Sequence, residues 1–89
     1  MSNTIIELKK KEIIDCGEYI KIREYCCLFK RFILGVYVVF ERYSQYSAVI
    51  KTVVDNLGVS IYGFRSESDA MEFAAYIMDM CQNNTKELT

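Results

Sequence analysis

Apolar positions recur most regularly near the end of the chain. After Arg65 they fall at Ala70, Phe73, Ala74, Ile77 and Cys81, a spacing that lines one face of a helix. Met71 and Met78 flank that face, and Glu72 and Asp79 lie opposite. Ser66 is placed to cap the first turn, with Asp69 three residues on and Glu67 between them, where negative charge suits the helix dipole. Asn83 and Asn84 mark a stop, so the pattern predicts a helix over residues 67–82 followed by a polar, fraying tail. Just before it, "GVSIYGF" reads as a strand, with Val59, Ile61 and Gly63 on one parity and Ser60, Tyr62 and Phe64 on the other.

The middle of the chain is apolar on both parities. "VYVVFERY" sets Val36, Val38 and Phe40 against Tyr37, Val39 and Glu41, which predicts a central strand or one whose outer face a partner covers. Residues 45–57 support two readings. Val49, Ile50, Val53, Val54 and Leu57 fit a helical stripe ending at Gly58. Yet Val49, Ile50, Thr52, Val53 and Val54 are all β-branched, which favours a strand with "DNLG" as its hairpin loop. The first third is equally divided. Ile20, Ile22, Cys26 and Leu28 suit strands after a turn at Cys16-Gly17. The Asp15-x-x-Glu18 spacing and the stripe Ile22, Tyr25, Cys26, Phe29, Ile33 suit a helix. Leu-Gly-Val occurs twice, at residues 34–36 and 57–59, but the sequences that follow diverge, and glycine before a valine-rich strand is a common local solution.

These elements predict an α+β fold: an antiparallel sheet of three to four strands with the C-terminal helix packed on one face. The runner-up adds a helix over residues 45–57. Eighty-nine residues make a single domain (1–89), with 1–4 and 84–89 expected to fray.

Composition sharpens the picture in three places. The net charge of −1 hides an asymmetry: up to Arg65 there are ten Lys/Arg against seven Asp/Glu, and beyond it one against five. That is too mild a basic excess for a polyanion binder of the usual kind. The stretch "MSNTIIELKKKEII" holds no signal-like apolar region, and the longest apolar run, residues 32–40, is nine residues where a spanning helix needs about 20. A cytoplasmic protein without a membrane span is expected. In that compartment Cys16, Cys26, Cys27 and Cys81 act as small apolar side chains; they form no C-x-x-C spacing, and the chain has no histidine, so no metal site or cofactor is expected.

The absence of histidine also removes the commonest general base and the ordinary nucleophilic triads. Glycines 17, 35, 58 and 63 are scattered singly and build no phosphate loop. The chain therefore reads as non-enzymatic. Seven tyrosines and five phenylalanines are more than one small core requires, and tyrosine suits interfaces because it joins apolar area to a polar tip. A protein-binding module follows, acting by stoichiometric occupation of a partner surface, as small phage or mobile-element proteins do, and itself a homodimer. Its candidate interface is Tyr37, Val39, Tyr43, Tyr46, Tyr62, Met71 and Met78. The alternative is a single-stranded nucleic-acid binder using a basic and aromatic sheet face of Tyr19, Lys21, Arg23 and Tyr25.

Overall fold

A computed structural model describes residues 2–24, 26–54 and 57–87. The fold is α+β, in the order α1 (Ser2–Lys10), β1 (Ile13–Asp15), β2 (Tyr19–Ile22), β3 (Cys26–Phe29), a 3-10 turn (Lys30–Phe32), β4 (Ile33–Phe40), β5 (Tyr46–Thr52), β6 (Val59–Phe64) and α2 (Glu67–Glu87). The strands form two antiparallel three-stranded sheets, β1-β2-β3 and β4-β5-β6, where the sequence predicts one. The break between them is the 3-10 turn. It contains no Gly, Pro or Asn, the usual turn residues; the Lys30 N–H donates to the Glu18 carbonyl and the Val53 N–H to the Phe32 carbonyl, both at 2.9 Å, and an ion pair adds to these. Lys30, only 7% exposed, reaches inward to Asp15, with Nζ 2.7 Å from Oδ1. The same Asp15 oxygen accepts the Gly17 N–H at 2.9 Å, so the carboxylate that the spacing offered as a helix cap instead closes the β1–β2 turn. The helical stripe through Ile22, Phe29 and Ile33 is not used; Ile20, Ile22 and Leu28 are buried from strands.

Residues 46–52 are strand, which overturns the runner-up helix over 45–57. Four of its seven residues are buried, and Ala48 and Ile50 are sealed from solvent. Asp55 and Asn56 of the expected "DNLG" loop lie outside the described residues. In the second sheet Val36, Ile50 and Val59 stand in register, as do Val38, Ala48 and Ile61, and all six turn inward. Phe64 also turns inward, against the parity read from the sequence. A register shift between Tyr46 and Ala48, with Gly63 at φ +93°, inserts a bulge that rotates the strand end and buries the ring.

α2 lies across β4, β5 and β6. Ser66 caps it as the pattern predicts, its Oγ accepting the Asp69 N–H at 3.1 Å, and Ala70, Phe73, Ala74 and Ile77 are buried. Met80 joins them, and the helix continues to Glu87, past the predicted stop at Asn83-Asn84. α1 was not legible in the sequence. It packs on α2, β6 and β1, burying Ile6. Its basic end is not simply solvated: Lys9 Nζ lies 5.3 Å from the centre of the Phe64 ring and Lys10 Nζ 5.1 Å from that of Tyr76. One apolar core joins both sheets and both helices.

Candidate functional site

The candidate interface residues occupy three places. On β4, Tyr37 and Val39 point away from the core, opposite Val49 and Ser47 of β5. Tyr62 of β6 shares this outer side. Tyr37 and Tyr62 are 49% and 60% exposed, and Val39 and Val49 half-buried, so the sheet presents an apolar and aromatic outer face. Ser47 sits within it, fully buried, its hydroxyl donating to Glu41 Oε2 at 2.8 Å. Tyr46 is on the opposite side. It is half-buried, stacks edge-on against Phe40 with ring centres 5.2 Å apart, and packs against the core. Met71, exposed on α2, lines a groove of about 320 Å³ with Val36, Tyr37, Val38, Glu67 and Ala74, so Tyr37 and Met71 meet at the β4 edge. Met78 is half-buried further along the helix. Tyr43 stands alone at the β4–β5 hairpin tip, 90% exposed.

That tip is strained. Tyr43 and Ser44 have φ of 59° and 58°, and the Gln45 N–H donates to the Arg42 carbonyl at 3.3 Å. These are the marks of a type I′ turn, which matches strand twist but favours Asn and Gly at its centre. Tyr and Ser each bear a side-chain penalty there.

For β4 the first of the two alternatives drawn from the sequence is overturned. It is an edge strand, not a central one. Sheet edges expose unpaired backbone groups and are normally shortened, charged or covered. The other edges follow that rule. β1 has three residues and lies under α1. β3 has four. β6 is bulged at Gly63, has α1 against it, and faces Ile22, Arg23 and Cys26 across a small cleft. β4 runs for eight residues without one charge between Phe32 and Phe40, and Leu34, Tyr37 and Phe40 along it are exposed.

The basic and aromatic face divides differently from its prediction. Tyr19 and Lys21 share the outer face of β2, opposite Phe29 and Cys27. Arg23 leaves that face in a turn with φ 58°, its Nε 3.6 Å from Glu12 Oε2, an oxygen shielded from solvent with no hydrogen-bond donor in reach. Tyr25 lies outside the described residues. Three residues not singled out from the sequence complete the patch. Phe29 meets Tyr19 and Phe32 edge-on at 6.1 and 5.7 Å, and the Arg31 guanidinium lies 5.3 Å from the centres of both phenylalanine rings. The clue in the sequence was the run Phe-Lys-Arg-Phe, readable as a patch only once a turn folds it back.

Among the described residues no three Cys, Asp or Glu side chains converge as metal ligands. The cysteines are free. Cys26 and Cys27 point to opposite sides of β3, and burial pushes the Cys26 and Cys81 thiols up, away from the reactive thiolate. Among the described residues no helix is long and apolar enough to cross a membrane. Compared with known protein families, curated proteins and solved structures, the chain matches none.

Proposed function

We propose that this chain is a non-catalytic protein-binding module that acts stoichiometrically through β4 and the outer face beside it, and that it works as a homodimer in a reducing cytoplasm. One observation carries the reading: β4 is a long, uncharged edge strand, apolar on both sides, in a fold whose other edges are short or covered. An uncharged edge of this length is an aggregation hazard unless something pairs with it. Pairing with an edge also supplies backbone hydrogen bonds from any partner, while side chains such as Tyr37 and Val39 set which partner fits. The absence of histidine and the raised Cys26 and Cys81 thiols favour binding over turnover.

Tyr37→Asp or Val39→Asp tests it. Both side chains point out of the fold, so the variants should stay folded, with an unfolding temperature lowered only by the loss of assembly. Their light-scattering mass should fall to a single chain. Wild-type assembly retained in both variants would sink the reading.

A second reading rests on Arg31 set against both the Phe29 and Phe32 rings, with Tyr19 edge-on to Phe29: a small single-stranded nucleic-acid face on the first sheet. Binding of a labelled oligonucleotide that weakens as salt rises is its signature.

A further inference from the structure

We propose that a second copy of this chain pairs with the first through β4, antiparallel and centred on Val38, merging two three-stranded sheets into one of six. This rests on the binding-module reading and names its partner. Antiparallel pairing of two identical edges creates a two-fold axis perpendicular to the sheet. Both cores then lie on the same side, and residues directly opposite share a face. Inward side chains of β4 must therefore meet inward ones, which requires the axis to pass through a residue and not between two.

Centres at Val36, Tyr37 and Val38 satisfy that condition. The first two draw Leu34 into the new ladder, where β4 is already irregular: its register against β5 shifts between Ile33 and Gly35. Among the centres that keep pairing within the regular residues 36–40, the Val38 centre gives the longest ladder, using all five. Val38 then meets its own counterpart, Tyr37 meets the second copy's Val39, and Val36 meets the second copy's Phe40.

Two features of the surface match this register. Phe40 is 63% exposed at the inward end of β4. Its placement opposite Val36 brings the ring to the groove that Val36, Val38, Met71 and Ala74 leave open beside α2. Charge gives the second match. Gly35 stands directly across from Lys51 of β5, and nothing lies within 4 Å of where its side chain would be. In this register the second copy's Glu41 falls opposite Gly35. Its carboxylate, on releasing the Ser47 hydroxyl it holds within its own chain, then reaches over the bare backbone toward the exposed Lys51, two strand spacings of about 4.8 Å away. The axis repeats the ion pair, so each dimer has two.

Sedimentation equilibrium of the full chain, combined with charge reversal, tests the proposal. The wild type should sediment at twice the 10.4 kDa chain mass. Lys51→Glu or Glu41→Lys alone should weaken the dimer at least about tenfold, because each puts like charges together at two places. The two reversals combined should restore it to within about threefold. Lys51 is exposed, so its variant keeps the monomer fold; thermal unfolding checks Glu41→Lys, which also gives up the Ser47 hydroxyl. A wild type that stays monomeric at about 100 µM overturns this dimer and with it the self-associating form of the reading. A dimer indifferent to both single reversals overturns only the Val38 register.

Discussion

The two sheets have the same strand number and the same antiparallel order, yet they are held by different means. β1, β2 and β3 have three, four and four residues, and their inward side chains Ile13, Ile20, Ile22 and Leu28 are helped by a polar anchor, Lys30 on Asp15. β4, β5 and β6 have eight, seven and six residues and lie under a 21-residue helix. The short sheet has little edge to guard. The long sheet's strands are longer, and among the described residues its β4 is left with no strand on one side. In this chain of 89 residues the two sheets give four buried apolar residues each to the core, and the longer sheet is the one left with an unpaired edge.

The sharpest way to break the long sheet is through its helix. Phe73 is fully buried, with its ring centre 5.2 Å from Phe64 and 6.0 Å from Tyr76. Phe73→Ala should cost about 3–5 kcal/mol by losing that burial and leaving a cavity. Urea unfolding followed by circular dichroism reads it. For a domain of this size that is a large part of the total stability, so the variant is expected to be partly unfolded at 37 °C.

The short sheet should break electrostatically. Asp15→Asn strands the Lys30 ammonium in a buried position, and the cost should be about 3 kcal/mol. That is the low end for a broken buried pair, because Asp15 itself is partly open to water. Replacing Lys30 by Met in the same variant should recover most of the loss. The pH dependence follows from the same contact. The Lys30 ammonium, then the Gly17 N–H, hold the Asp15 carboxyl below its usual value near 3.8. A lowered carboxyl stabilises the fold in full above its unfolded pKa, and that stability disappears as pH falls through the folded one. Denaturation midpoints should therefore drop on acidification below about pH 4, and Asp15→Asn should flatten that drop. An unchanged acid slope in the variant would remove Asp15 from the account.

How legible each sheet was in the sequence follows the same division. α2, its Ser66 cap and its buried face could be read from spacing, because a long amphipathic helix repeats its signal every turn. β5 was ambiguous, since β-branched residues at 49, 50, 52, 53 and 54 satisfy a helical stripe as well as a strand, and only pairing on both sides decides. The 3-10 turn and the division into two sheets were hidden. At that turn Lys30 meets Asp15, fifteen residues away, and no local pattern encodes that distance. Of the candidate interface, Tyr37, Val39 and Tyr62 do share one face. Tyr46 and Met71 belong to the other side, and alternation could not show this without the β4–β5 register. α1 was missed because nine residues with few apolar positions give too short a signal.

The smallest effect lies at the tip of the long sheet. The β4–β5 turn holds Tyr43 and Ser44 in the left-handed region, at about 1–2 kcal/mol per residue. Ser44→Gly removes one such penalty, while the freer unfolded glycine gives back roughly 0.5–1 kcal/mol. The net should be a gain of about 0.5–1 kcal/mol, seen as a higher urea midpoint with an unchanged slope. The gain should be local. Hydrogen exchange should slow at Glu41, whose N–H bonds the Gln45 carbonyl at 2.7 Å across the turn, and stay the same in β1 and β2. Stabilisation there with weaker self-association would show that the strained Tyr43 conformation serves binding as well as reversal of the chain. Stabilisation with assembly intact would make the strain a tolerated cost of hairpin closure, and would leave β4, not its tip, as the surface on which the chain meets its partner.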